Sequence, residues 1–333
     1  MRLLGAILAH VLYAKRSIHL SSSHPPSAAP SLPLIDISRL ESDSADERAG
    51  VAREIGAACR CIGFFAITGH GVAQKAMTDA FAAAHDVFAL PPPAKRELAI
   101  ATHGHNRGYV GLGVEALDEK TAPDLKEAYN LIWTDDATRP ANVWPPIPGW
   151  RARAQAYFNA VLAVGQRLHR AFALDLGLTE TFFDDKVDKP MATLRFLHYP
   201  LAGTGTDAPR GQPGAGAHTD YGNVTLLATD GVAGLQVRTR DGAWIDAPAI
   251  PGGFICNIGD CLMRWANDVY LSTPHRVLPP AQERYSIAFF LDPNPEALVS
   301  AIASCVPQGA APHHAPIVAA DYLQARFAAT YAR

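Results

Sequence analysis

Two hydrophobic periods run along this chain, and the change from one to the other divides it. From Ser44 to Cys61, acids fill the first turn, apolar residues recur at Val51, Ile55 and Ala58, and Gly63 follows as a stop, which predicts a helix. A second helix is predicted from about Ala73 to Phe88, closed by Pro91-Pro92-Pro93. The longest helical pattern covers Trp150 to Leu176, with Tyr157, Val161, Val164, Leu168, Phe172 and Leu176 on one face and Gly177 after it. Leu34–Ile37 and Phe64–Thr68 read as strands, Gly69-His70-Gly71 as a turn, and short strands are expected near Tyr109 and Tyr129 in a loop-rich segment reaching Pro148. After about Met191, short β-rich runs alternate with Gly, Pro and Asp turns: ATLRFLHYP, NVTLLATD, GLQVRT, GFICNI, HRVLPP and YSIAFFLDP. That spacing predicts a sandwich or barrel. A last helix is expected from Ala319 to Tyr331.

Composition narrows the class. The 333 residues are 48% hydrophobic and 18% charged, enough apolar material for a large core. A net charge of −3 carries no basic bias toward nucleic acid. The five cysteines, at positions 59, 61, 256, 261 and 305, are odd in number and form no CxxC, which fits a reducing compartment and buried thiols. No apolar run reaches the length of a membrane span. The first thirty residues hold Arg2, Lys15 and Arg16 but no acid, and Ser21–Pro33 is a Pro/Ser/Ala linker. A disordered leader is the plainer reading of that segment; a targeting peptide is the alternative. Cytoplasmic localisation is expected, organelle targeting being left open by the leader.

The candidate chemistry sits in the β-rich part. In GAGAHTDYGNVTLLATD, His218 and Asp220 are two apart, so on a strand both would face the same side. Alone, such a pair is ordinary polar decoration at a strand end. His275 follows, fixed by Pro274 at the start of a predicted strand, and nine residues later come Arg284 and Ser286, again two apart. Two histidines and a carboxylate make the facial triad of non-haem iron(II) oxygenases, and an Arg beside a Ser can grip a carboxylate through a charge-assisted fork plus a hydroxyl. Arg195 and His198 are further candidates for substrate contact. His70 reads as a turn residue, His103 and His105 as solvated loop residues, Cys59 and Cys61 as lying on different faces of a helix, and Asn257, Asp260 and Asn267 as turn formers around the β core.

From about Pro33 to Asn294 the chain resembles the isopenicillin N synthase-like branch of the iron(II)/2-oxoglutarate-dependent oxygenases. The resemblance is carried by LRFLHYP, GAHTDYGNVTLLATDGVAGLQV, PGGFICNIGDCLMRWANDVYLSTPHRV and ERYSIAFFLDPNP, and earlier by PLIDIS, GFFAITGHGV, FALPPPAKRELAI, RGYVGLG and DLKEAYNL. It implies an α+β fold, a distorted double-stranded β-helix (jelly-roll) core flanked by helices. It implies a leader over 1–33, an N-terminal helix and strand region over 34–186, the jelly-roll over 187–294 and a C-terminal helical segment over 295–333. His218, Asp220 and His275 match the iron ligands, Arg284 and Ser286 the pair holding the distal carboxylate of 2-oxoglutarate, and Tyr199 the tyrosine of the N-x-Y-P motif. The Asn of that motif is Leu197 here, so one contact to the metal-chelating end of the cosubstrate is missing. The implied activity is oxidation of a small-molecule C–H bond by hydroxylation, desaturation or ring closure, with Fe(II), 2-oxoglutarate and O₂, releasing succinate and CO₂. A monomer with no nucleic-acid or membrane partner is expected. The alternatives are a 2-oxoglutarate-independent oxidase of the isopenicillin N synthase type, an ethylene-forming enzyme and, more remotely, a non-catalytic binding module.

Overall fold

A computed structural model describes residues 31–118, 122–135, 137–201, 213–279 and 281–331. The expected leader falls, up to residue 30, outside the described residues. The strands are β1 (Leu34–Asp36), β2 (Phe64–Thr68), β3 (Gly108–Val110), β4 (Glu127–Ile132), β5 (Thr193–Tyr199), β6 (Ala215–His218), β7 (Val224–Thr229), β8 (Leu235–Arg238), β9 (Trp244–Asp246), β10 (Phe254–Ile258), β11 (His275–Val277) and β12 (Arg284–Leu291), with a separate two-stranded ribbon of β13 (Leu298–Val299) and β14 (Ile317–Val318). The helices are α1 (Ala45–Cys61), α2 (Gln74–Phe88), α3 (Pro92–Glu97), α4 (Ile100–His103), α5 (Trp150–Asp175), α6 (Asp260–Trp265) and α7 (Ala319–Tyr331).

Eight strands form one sheet in the order β1-β2-β10-β7-β12-β5-β4-β3, and four form a second in the order β6-β11-β8-β9. All pairs are antiparallel except β1 with β2. The two sheets face each other as in a jelly-roll. Strand alternation sorts the large sheet into two faces. One presents Leu194, Phe196, Leu226, Ile287 and Phe289 to the helices, forming the main core with α1, α2 and α5. The other presents Leu197, Tyr199, Ala128, Ile255 and Ala288 toward Ala215, Leu235, Val237 and Val277 of the small sheet.

The helices follow the apolar stripes that predict them. Ser44 caps α1, its hydroxyl accepting from the Glu47 backbone N–H at 3.4 Å. Gly63 ends the helix with φ +70°, and a Cβ there would lie 2.2 Å from the Leu271 carbonyl oxygen. On α5, Gly165 lets the helix lie close on β12, since a Cβ would meet Leu291 at 2.7 Å. The helix therefore braces the strand whose other face carries Arg284 and Ser286.

Candidate active site

The site is built where the small sheet meets the large one. His218 ends β6 and His275 begins β11, and the two are direct partners across that ladder. Their ring centroids are 4.3 Å apart. Asp220 is not on the strand, as the spacing suggested, but in the bend just after it. What turns it inward is α6, whose N-terminal backbone N–H groups hold the bend: Asp260 donates to the Asp220 carbonyl at 2.8 Å and Cys261 to the Gly222 carbonyl at 2.9 Å. The expected turn at Asp260 is thus the first residue of a helix. One side-chain atom from each of His218, Asp220 and His275 lies within 4.8 Å of the others.

The hydrogen bonds set which atoms converge. Nδ1 of His218 donates to the Gly216 carbonyl at 2.7 Å, and Nδ1 of His275 to that of Thr273 at 3.1 Å, so both Nε2 lone pairs face inward. Asp220 Oδ2 accepts from Thr225 Oγ1 at 2.5 Å and Asn257 Nδ2 at 2.7 Å, leaving Oδ1 open. Asn257, expected in a turn, is instead in the central strand β10, and its side chain orients the carboxylate. Nε2 of His218 and of His275 lie 3.7 and 3.6 Å from Asp220 Oδ1. Two donors each about 2.1 Å from a shared ion span roughly 3–3.5 Å, so these two imidazoles and the carboxylate are within a small inward shift of holding one first-row divalent metal. Burial, with the His275 ring beside it, pushes the His218 pKa well below its ordinary value, which keeps a lone pair available. Burial raises the Asp220 pKa, but His275, His218 and the two hydrogen bonds outweigh it, and the carboxylate stays ionised.

These residues line a cavity of about 140 Å³. Another part of its wall carries Arg284, 1% exposed, and Ser286, fully buried. Arg284 Nη1 donates to Ser286 Oγ at 3.2 Å and Nε to the Val232 carbonyl at 3.2 Å, and the guanidinium lies 4.8 Å from the Tyr199 ring centroid. Leu197 stands directly opposite Ser286 in the ladder. Arg195 also lines the cavity, whereas His198 does not. Strand alternation sends His198 to the opposite face, where its ring nitrogens meet Glu127 at 2.7 Å and Glu283 at 2.8 Å.

Several residues in and beside the cavity were not singled out by the sequence. Glu115 and Lys126 are buried cavity residues, and Asp124 is buried beside Lys126. Asp292 is a further buried carboxyl in the wall, pushed up to about 8 by burial and the charge of Asp220. Charged residues in a β-rich run ordinarily read as solvated, and period-two spacing from Ser286 through Ala288 and Phe290 was the one available signal for Asp292.

Two family models match the chain: the N-terminal domain described as non-haem dioxygenase in morphine synthesis over residues 32–147, and the 2OG-Fe(II) oxygenase superfamily over residues 192–293. A curated relative from Emericella nidulans, the 2-oxoglutarate-Fe(II) type oxidoreductase hxnY, is 33% identical over 317 residues, covering 90% of this chain and 90% of the relative. This chain belongs to the 2-oxoglutarate- and Fe(II)-dependent oxygenases. It is an α+β, jelly-roll enzyme of that superfamily, a dioxygenase that uses Fe(II), 2-oxoglutarate and O₂ on small molecules. Homoarginine-6-hydroxylase 2-ODD-233 from Oryza sativa is 32% identical, covering 82% of this chain and 89% of that one. Among solved structures, a full-length Neurospora crassa protein in complex with alpha-KG and thymine superposes with a TM-score of 0.82 at 32% identity, over 90% of this chain and 96% of that one.

Proposed function

We propose that Nε2 of His218, Oδ1 of Asp220 and Nε2 of His275 hold the iron, and that Arg284 and Ser286, with Tyr199 beside them, receive the distal carboxylate of 2-oxoglutarate. The observation that carries this is the opening of both groups into one cavity. Three donors converge with their outward atoms already hydrogen-bonded, and a buried guanidinium without a carboxylate partner among the described residues shares the same wall. Bound there, iron and 2-oxoglutarate supply the oxidising power, with the cosubstrate leaving as succinate and CO₂. The chain's own residues bind, orient and exclude water. Thr225 and Asn257 fix which oxygen of Asp220 faces the metal, as outer-shell groups generally do. Arg284 orients the cosubstrate by a planar fork that a lysine would not provide. Leu197, Phe64 and Leu227 add apolar cavity wall.

The reaction proposed is oxidation of a C–H bond in a small molecule, by hydroxylation, desaturation or ring closure. The four-part division into 1–33, 34–186, 187–294 and 295–333 is proposed with it, as is a cytoplasmic monomer. The free state of all five cysteines supports a reducing compartment. Among the described residues, no helix is long and apolar enough to cross a membrane. The test is an anaerobic titration of the Fe(II) protein with 2-oxoglutarate. A visible charge-transfer band, followed on admission of O₂ by succinate release, is expected. No band at saturating iron and cosubstrate would defeat the assignment.

A further inference from the structure

The proposed roles leave unused the part of the cavity wall where β4 meets β5 at Asn130 and Arg195. Asn130 and Arg195 are direct partners across that ladder, so their Cβ atoms lie about 4.5–5.5 Å apart on one face. Both line the cavity. Asn130 is 1% exposed. Its Nδ2 donates to Asn106 Oδ1 at 3.0 Å, while its Oδ1 meets no donor among the described residues. Buried side-chain carbonyls are nearly always paired. An open acceptor on a cavity wall therefore states what a ligand has to bring, an N–H or O–H group.

Among the described residues, the charges on the same wall pair with one another. Arg195 meets Glu115 at 2.5 Å, Lys126 lies 3.4 Å from Glu115, and Lys126 also pairs with Asp124. Among the described residues, two cations thus face two carboxylates, all buried or nearly so. Asp124 is further held by the Gly216 backbone N–H at 2.9 Å, which ties the cluster to the strand bearing His218. A charged substrate group docking here would leave one buried charge unmatched, which is strongly unfavourable. An uncharged group leaves the balance intact. Phe290 and Thr193, partners in the next row of the sheet, continue the wall with a ring and a single hydroxyl.

We infer that Asn130 is a specificity-determining residue for the prime substrate, and that it accepts the N–H of an uncharged amide, lactam or imide. The inference rests on the oxygenase reading above.

The test uses the full chain loaded with Fe(II) and 2-oxoglutarate under nitrogen, titrated with glutarimide, N-methylglutarimide, butylguanidinium and butyrate. Binding is followed by calorimetry and by the shift of the visible band. Wild type should bind glutarimide about tenfold or more tightly than its N-methyl analogue, a difference of about 1.4 kcal/mol, and more tightly than either ion. Asn130→Leu should bind the two imides equally, with 2-oxoglutarate affinity as in wild type. Asn130→Asp should shift preference toward butylguanidinium. If the leucine variant does not fold, Asn130→Ser, whose hydroxyl is too short to reach the same point, replaces it. Equal binding of the two imides by wild type, undiminished discrimination in the variant, preference for either ion, or no imide binding at millimolar concentration would each overturn the inference. Failure of the protein to form the band at all would instead defeat the oxygenase assignment itself, so the two failures are distinguishable.

Discussion

Replacing Arg284 by leucine separates cosubstrate binding from metal binding. The guanidinium is 1% exposed, and among the described residues its bonds go to neutral groups, the Val232 carbonyl and Ser286 Oγ. It is a buried cation kept without a carboxylate among the described residues. When 2-oxoglutarate binds, the distal carboxylate completes the pair. Removing one partner of a desolvated, hydrogen-bonded charge pair costs about 2–5 kcal/mol, and at about 1.4 kcal/mol per decade this is roughly 30- to 4,000-fold in cosubstrate affinity. Arg284→Lys should recover only part of the loss, because a point charge does not reproduce the fork. Ser286→Ala should cost about 1–2 kcal/mol, one hydrogen bond to a charged group. The stability of the ligand-free protein should move the other way: an unmatched buried charge is expensive, so Arg284→Leu should melt no lower than wild type. The assay is calorimetric titration of 2-oxoglutarate into anaerobic Fe(II) protein, with iron affinity measured in parallel by chelator competition. Unchanged cosubstrate affinity would refute the reasoning, and an equal fall in iron affinity would show that Arg284 acts through the metal site instead.

The other predictions concern the ligands, their supports and the core. His218→Ala, Asp220→Ala and His275→Ala should each lower bound iron at limiting metal and abolish succinate release; wild-type iron content in any one of them would remove that residue from the triad. Asn257→Leu removes one of the two hydrogen bonds on Asp220 Oδ2 and should weaken iron binding about 10- to 100-fold, as loss of an outer-shell partner does, and chelator competition reads this directly. His169 is fully buried, donates through Nδ1 to the Gly165 carbonyl at 2.8 Å and accepts at Nε2 from Asn223 at 2.9 Å. Burial lowers its pKa from 6.5 to about 4. The unfolded chain therefore binds a proton more readily than the folded one, so this contribution is intact above about pH 6.5 and is lost as pH falls toward 4, roughly 3 kcal/mol in all. Urea unfolding across that window should show a shallower pH dependence in His169→Gln than in wild type, and parallel curves would refute the assignment.

Much of the fold is legible from period alone. The stripes of α1, α2, α5 and α7 and the alternation in β5, β7, β10 and β12 match the observed elements to within a few residues at their ends. Short elements are not legible. Six-residue α6 sits in the run DCLMRW, which has too few turns to show a period, and the Asn and Asp residues around it read as turns. Asn257 illustrates the same difficulty, because a polar residue in a central strand is explained only by the carboxylate it meets across the sheet.

The site divides in the same way. His218, Asp220, His275, Arg284 and Ser286 could be picked out in the chain because the spacing of residue types alone suggests the chemistry. Their convergence, however, depends on the β6–β11 register and on α6 pinning the bend after His218. The wall of Glu115, Lys126, Asn130 and Arg195 comes from segments up to 80 residues apart; Arg195 could be picked out as a candidate contact, but nothing local pairs it with Glu115 or Asn130. Local sequence therefore determined which segments are helix or strand and which side chains can ligate or pair. Only the tertiary structure decided which polar residues are desolvated together, because burial and pairing are properties of strand register across the sheets and not of neighbours along the chain.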